Sequence, residues 1–209
     1  MSHLVYRSVA DLKGLSLKNC PSLPEPSRVL MCAPEYYDRR DEHNPFAMEH
    51  SGRVNPNLAR RQWVEIHDAF KSCGLQISLI PAVPGLVDMV FCANQTLTGL
   101  TPRMERVCVL GSMRYPARRR EVTAFEAWFK GEGYRTVTLK DKTFTFEGAG
   151  DAVWHPGKRL IWGGCGFRSD AEVYEDVARA FEAPVVLLKL VNERLPHLDS
   201  CFCPLTQEA

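Results

Sequence analysis

The chain repeats one supersecondary unit, and this repeat limits the folds open to it. Short apolar or β-branched runs alternate with three helices whose ends are marked in the sequence. The runs that follow the helices are centred near Leu79, Val137 and Leu187, so the unit recurs after 58 and then 50 residues. Repeats of this length that contain β-hairpins favour a radial array of modules over a doubly wound sheet.

The helices are predicted from capping residues and apolar spacing. The first should run from about 56 to 73, with Asn55 as its N-cap. The second should begin after Pro116 and end near residues 131–133. The third should begin at Ser169, where an acidic residue three positions later completes a capping box.

The strands are predicted from the apolar runs around these helices. Four of them stand alone in sequence, at residues 29–32, 76–81, 134–139 and 185–190. Four more should form two pairs, 88–92 with 106–111 and 151–155 with 159–163. Residues 1–27 contain three closely spaced prolines and are predicted to be an irregular N-terminal arm, followed by a single domain at residues 28–209.

Composition excludes several classes of protein. The formal net charge of +1 gives no reason to expect a nucleic acid or an anionic membrane as partner. We find no apolar run long enough to cross a membrane and no signal-peptide pattern at the N-terminus, so we expect a cytoplasmic protein. Several of the eight cysteines lie in apolar runs, which indicates reduced, buried thiols. No cofactor is expected.

The segment at residues 196–204 carries the most reactive side chains. His197 and Asp199 are two positions apart, and on a strand they would share a face with Cys201 and Cys203. A zinc site made by this strand alone is excluded, because neighbouring same-face positions are about 6.6 Å apart. Without further information, a single histidine at a strand end is more often structural than catalytic.

Three motifs in order give the chain a resemblance to a known family. They are residues 84–94, the Glu-Gly-Ala-Gly-Asp stretch at 147–151, and residues 196–204. Together they resemble the guanidine-modifying (pentein) superfamily of arginine deiminases, arginine dihydrolases, dimethylarginine dimethylaminohydrolases and amidinotransferases. The resemblance implies an α/β propeller of about five strand-strand-helix-strand modules. It covers residues from about 29 to 204, so we expect the propeller to be incomplete at the C-terminus.

The resemblance also implies roles for individual residues. His197 would be the catalytic acid and base, and Glu147 would pair with the guanidinium and with His197. The residues that would bind the substrate are Asp88, Asn94, Asp199, Arg168 and Arg118, the two arginines through its carboxylate. The nucleophilic cysteine of the family is expected beyond Ala209, so residues 1–209 alone are expected to be inactive. Cys201 is a weaker alternative nucleophile.

Asn94 bears on the type of reaction. Much of the superfamily has aspartate at this position, whereas the dihydrolases, which remove both guanidine nitrogens, have asparagine. The sequence therefore favours hydrolysis of arginine or an arginine derivative, of the dihydrolase, deiminase or dimethylaminohydrolase type. Amidino transfer and a non-catalytic protein that binds a guanidino compound remain alternatives. The expected partner is an arginine-like small molecule, and a homo-oligomer is left open.

Overall fold

The computed structural model of the protein describes residues 4–38 and 54–208. Its strands are β1 (Val5–Tyr6), β2 (Arg28–Cys32), β3 (Gln76–Ile80), β4 (Thr96–Leu100), β5 (Arg106–Leu110), β6 (Arg135–Val137), β7 (Ala152–Trp154), β8 (Ile161–Cys165) and β9 (Val185–Lys189). Its α-helices are α1 (Pro56–Ser72), α2 (Pro116–Gly131), the single turn α3 (Gly148–Asp151) and α4 (Tyr174–Phe181). Short 3₁₀ turns lie at Leu17–Asn19, Ala171–Val173 and Leu198–Ser200.

The nine strands of residues 4–38 and 54–208 form three separate sheets in a mixed α/β fold. One sheet contains β2 and β3, the second has the order β4-β5-β6, and the third has the order β1-β9-β8-β7. In each sheet one pair of parallel strands is joined through a helix, because a parallel connection has to cross over the sheet. In the second and third sheets an antiparallel hairpin precedes that helix. The repeated unit predicted from the sequence is therefore present.

The first two helices agree with prediction, whereas the start of the third was wrong. Asn55 accepts a hydrogen bond from the Leu58 N–H at 3.1 Å and caps α1. The predicted capping box at Ser169 does not form, because its side chain bonds Glu147 and Asp151 instead. The chain passes through a 3₁₀ turn before α4 begins.

Two predicted strands are absent from the described structure. Residues 88–92 form turns, in which the Phe91 N–H donates to the Asp88 carbonyl at 3.0 Å. The strand that pairs with β5 is β4, which lies further along the chain than residues 88–92. The His197 strand is also wrong, since Leu198–Ser200 is a 3₁₀ turn that breaks the predicted row of same-face side chains.

The N-terminal arm is more regular than predicted. β1 pairs in parallel with β9, with Val5 opposite Val185. The division of the chain into an arm and one domain remains a prediction. In the described part of the chain, no helix is both long and apolar enough to span a membrane.

The core of the third sheet fixes the backbone next to the candidate site. Tyr174 is fully buried on α4, and its hydroxyl donates to the carbonyls of Asp151 at 2.9 Å and Gly164 at 2.7 Å. A side chain at Gly163 would meet the Tyr174 ring at 2.5 Å. The glycine thus lets the helix pack directly on β8, and the tyrosine fixes the end of α3.

Candidate functional site

The turn at α3 supplies two fully buried carboxylates, Glu147 and Asp151. Gly148 has a φ of 52°, in the left-handed region that favours glycine. A Cβ atom at Gly148 would lie 2.6 Å from the carbonyl oxygen of Thr96. The glycine therefore allows the acidic turn to pack directly against the backbone of residues 93–96.

Glu147 is surrounded by hydrogen-bond donors. Its Oε1 accepts from the Arg114 backbone N–H at 3.2 Å. Its Oε2 lies 3.3 Å from Nε2 of His197 and 3.5 Å from Nη1 of Arg168. A buried carboxylate is stable only when such partners replace its water. The 3.3 Å between Glu147 and His197 is slightly longer than the ~2.6–3.2 Å of a hydrogen bond poised for proton transfer, and it makes the two side chains direct neighbours.

His197 lies between both buried carboxylates. Its Nδ1 is 3.3 Å from Oδ1 of Asp151, on the opposite side of the ring from Glu147. Asp151 also accepts from the Leu198 N–H at 3.1 Å and from the Ser169 hydroxyl at 2.6 Å. A proton on either ring nitrogen therefore has an acceptor, and Asp151 fixes the ring orientation. This arrangement suits a general acid and base.

Arg168 lies at the edge of this cluster. Its guanidinium is 4.5 Å from the ring centroid of Tyr115, a cation–π distance, and contacts Glu147 on another side. The side chain is only 10% exposed. These contacts hold a buried positive charge next to the Glu147 carboxylate. An anionic part of a ligand could be bound there.

A second polar group is centred on Arg118. Its Nη1 donates to Oδ1 of Asn94 at 3.1 Å, and its Nε lies 3.8 Å from Oδ2 of Asp88. Its Nη2 donates to Glu121 Oε2 at 3.0 Å. All three nitrogens of Arg118 are thus engaged within the protein. This geometry supports a role of Arg118 in holding Asn94. The contact of Arg118 with a substrate carboxylate stays a prediction.

The two groups meet at Gly150. A Cβ atom built there would lie 2.4 Å from Nδ2 of Asn94 and 3.2 Å from Nδ1 of His197. The asparagine predicted to touch the substrate and the predicted acid/base are therefore neighbours. Asp199 follows His197 in the 3₁₀ turn Leu198–Ser200, where it is exposed but close enough to His197 and Asp151 to interact with their charges. Partial removal from water raises the pKa of the Asp199 carboxyl, Asp151 raises it further, and His197 opposes this.

Gly150→Ala is expected to abolish ligand binding, because the added methyl group would displace the Asn94 amide or the His197 ring. The affinity of the complete protein for arginine, measured by steady-state kinetics because arginine is expected to be turned over, should fall below detection. Gly131→Ala is the matched control, since a Cβ at Gly131 meets nothing within 4 Å and helix propensity favours alanine. Equal affinity of the two variants would mean that Gly150 does not border the ligand.

The sequence interpretation missed three polar residues of this region. Ser169, assigned to a helix cap, joins the Glu147 backbone N–H to the Asp151 carboxylate. Glu121 and Gln95 are buried beside Arg118 and bond each other at 2.7 Å. The only available signal was the Arg-x-x-Glu spacing of Arg118 and Glu121, which places both on one face of a helix.

The buried cysteines do not supply an activated thiol at this cluster. All eight are free. Burial raises the pKa of the Cys32 thiol to about 11 and those of Cys92 and Cys108 to about 12. The Cys201 sulfur is 3.5 Å from the carbonyl oxygen of Leu198, within its own turn. In residues 4–38 and 54–208, no group of three or more His, Cys, Asp or Glu residues could hold a metal ion.

Comparison with known proteins relates this chain to established enzymes. A profile for the family described as N,N dimethylarginine dimethylhydrolase, eukaryotic, matches residues 34–208. The bifunctional arginine dihydrolase/ornithine cyclodeaminase ArgZ of Synechocystis sp. is 36% identical over 179 residues, or 86% of this chain and 24% of ArgZ. The N(G),N(G)-dimethylarginine dimethylaminohydrolase of Mycobacterium tuberculosis is 31% identical over 182 residues, or 87% of this chain and 57% of that enzyme. The chain thus spans about a quarter of one relative and over half of the other.

Solved structures give the same relationship. A cysteine-to-serine mutant of the N-terminal domain of ArgZ, bound to its substrate, superposes with a TM-score of 0.78 at 36% identity, covering 87% of this chain and 64% of that one. A dimethylarginine dimethylaminohydrolase adduct superposes with a TM-score of 0.64 at 18% identity, covering 83% and 63%. The second match shows a shared fold alone.

Proposed function

This chain belongs to the N,N dimethylarginine dimethylhydrolase family, and on that premise we propose that it hydrolyses the guanidino group of arginine or an arginine derivative through a covalent cysteine intermediate. The observation that carries the proposal is the position of His197, 3.3 Å from each of two buried carboxylates. Buried, paired titratable groups in one cluster are characteristic of catalytic sites.

The acidic residues are proposed to bind the guanidinium. This cation is planar and presents only hydrogen-bond donors, so it is held best by several acceptors at once. Glu147 would face it from the buried side, and Asp88 and Asp199 would complete the acceptors. Arg168 is proposed to bind the substrate carboxylate, a role supported by its buried charge and its stacking on Tyr115.

The reaction is proposed to proceed by attack of a thiolate on the guanidinium carbon. His197 donates a proton to the departing nitrogen, which leaves as ammonia, and the carbon stays bound to sulfur. His197 then takes a proton from water, which attacks the same carbon, and the thiolate leaves. One such cycle converts arginine and water to citrulline and ammonia. A second cycle converts citrulline and water to ornithine, carbon dioxide and ammonia.

The attacking cysteine is proposed to come from outside residues 1–209. Burial keeps the thiols of Cys32, Cys92 and Cys108 protonated near neutral pH, since it raises the pKa of each. The N-terminal domain of ArgZ, whose cysteine-to-serine mutant was solved bound to its substrate, is longer than this chain, which covers 64% of it. Turnover is therefore assigned to the complete protein.

The three sheets are proposed to be modules of an α/β propeller arranged around this site. Each module repeats the crossover through one helix. Asn94, Glu147 and His197 come from segments between modules, whereas Arg118 lies on α2 and Arg168 lies between β8 and α4. A cytoplasmic location is proposed from the eight free thiols, which suit a reducing compartment. The proposed partner is the small guanidino substrate.

Two ammonia molecules per arginine are the expected yield of the complete protein, with ornithine as product. Asn94→Asp should shift the product toward citrulline, because a carboxylate favours the cationic guanidinium over the neutral ureido group by about 1 to 3 kcal/mol. Amino-acid analysis and an ammonia assay give both quantities. A wild type that yields only citrulline, or an unchanged ratio in Asn94→Asp, would contradict the dihydrolase assignment and favour a deiminase.

A further inference from the structure

We propose that Glu121 is a positioning residue that acts through Arg118 to orient the Asn94 amide, and that this orientation decides whether a second hydrolysis follows the first. The inference rests on the proposed function and adds two residues to it, Glu121 and Gln95. Neither needs to contact the substrate.

Arg118 determines which way the Asn94 amide points. A guanidinium has only donors, so the Asn94 atom that lies 3.1 Å from Nη1 has to be the carbonyl oxygen. The amide nitrogen then points the other way, toward Gly150 and the ring of His197. Asn94 is only 7% exposed, so water does not compete for its oxygen. Asn94 therefore places an N–H donor on the side of the site that faces His197.

Glu121 holds Arg118 in the required position. Its Oε2 accepts from Nε of Arg118 at 3.2 Å and from Nη2 at 3.0 Å, one helical turn away on α2. Glu121 is 1% exposed, so solvent screens this pair little. Asp88 contributes a longer contact on the other side, at 3.8 Å from Nε. Glu121 is therefore the main fixed partner of Arg118.

Gln95 donates a hydrogen bond to Glu121, but its own side-chain oxygen is left without a partner among the described residues. Its Nε2 donates to Glu121 Oε2 at 2.7 Å, so three donors converge on one oxygen. Its Oε1 is buried and has no hydrogen-bond partner among the described residues. An unsatisfied buried oxygen is costly. The Gln95 amide keeps this orientation despite the cost. We therefore take its hydrogen bond to Glu121 to determine the orientation.

This orientation distinguishes the two steps of the proposed reaction. The guanidinium of arginine offers only donors, which an N–H of Asn94 cannot bind. The ureido group left after the first hydrolysis has a carbonyl oxygen, which the same N–H can bind. An Asn94 held in this orientation therefore favours the intermediate over the substrate, and keeps the intermediate in place for the second attack.

Glu121→Gln in the complete protein tests the inference. Glutamine keeps the size and an oxygen acceptor but removes the charge, so Arg118 and Asn94 should be held less firmly. The ratio of citrulline to ornithine should rise about tenfold, the factor that one charge-assisted hydrogen bond represents, while the rate of arginine consumption at saturating substrate falls by less. Glu126→Gln is the matched control, since Glu126 is on the same helix and pairs with Lys130 at 2.7 Å. It should leave both quantities unchanged.

Loss of citrulline and ornithine formation in equal proportion, or an unchanged ratio, would overturn the inference. Gln95→Met provides a second variant that removes a donor to Glu121 without leaving an unpaired buried oxygen, and it should shift the ratio in the same direction. The side-chain amide signals of Asn94 in a ¹⁵N NMR spectrum give a readout that does not need turnover. They should change in Glu121→Gln and not in Glu126→Gln.

The two readouts separate this inference from the proposed function. If the wild type makes only citrulline, the dihydrolase function fails, and the NMR comparison alone decides whether Glu121 orients Asn94. If the wild type makes ornithine but the Asn94 signals are the same in Glu121→Gln, the positioning role is wrong while the function stands.

Discussion

His197→Asn lowers the turnover of arginine by the complete protein by roughly 100- to 10,000-fold, the range that removal of a general acid and base produces. Asparagine retains a polar side chain but cannot exchange a proton with the departing ammonia or the attacking water. The Glu147 and Asp151 carboxylates, each 3.3 Å from the His197 ring, stay in place. The affinity for arginine should therefore fall by a much smaller factor than kcat. Steady-state kinetics separate the two effects.

His67→Asn provides the matched control for His197. His67 lies on α1, where its Nδ1 contacts Asp68 at 2.9 Å. The same chemical change at this position should leave kcat and KM as they are in the wild type. A His197→Asn enzyme with more than a tenth of the wild-type kcat would show that the acid/base is another residue.

Asp151→Ala is expected to reduce both stability and activity. It leaves the Leu198 N–H and the Ser169 hydroxyl buried without their acceptor, at a cost of about 3 kcal/mol in the free energy of unfolding. It also removes the partner that orients the His197 ring. Denaturant unfolding of residues 1–209 measures the first effect, and kcat of the complete protein measures the second.

Asp141→Ala is the corresponding control on an exposed turn. Asp141 accepts from the Thr143 N–H at 2.9 Å and from its hydroxyl at 2.7 Å, bonds that also lower the pKa of the carboxyl. Because water can replace these bonds, the expected loss is well below that of Asp151→Ala. Similar losses in the two variants would mean that Asp151 is not the fixed centre of the site.

The sequence allowed prediction where the signal was local. α1 and α2 agree with prediction because an N-cap, a proline at the first turn and apolar spacing act within a few residues. Residues 88–92 were misassigned because a short apolar run carries no period that separates a strand from a buried turn. Met89 is 1% exposed in such a turn.

The sequence failed where distant residues decide the local structure. Asp151 binds the Leu198 N–H from 47 residues away, and a 3₁₀ turn forms next to His197 where a strand was predicted. In the same way, the Ser169 hydroxyl bonds Glu147 and Asp151 and does not cap the helix as predicted. The pairing of Glu147 with His197 was predictable only from the family resemblance. For Glu121 the only signal was its i,i+3 spacing from Arg118 on a predicted helix, and Gln95 had none.

The fate of the guanidino carbon tests the central claim most directly. Arginine labelled with ¹³C at that carbon is incubated with the complete protein and followed by ¹³C NMR. Hydrolysis in two steps predicts that the label passes from the guanidinium signal through the ureido signal of citrulline to bicarbonate, with ornithine formed in equal amount. A label that stays in the guanidinium signal, or that moves to the guanidino group of a second amine, would contradict hydrolysis and indicate binding without turnover or amidino transfer.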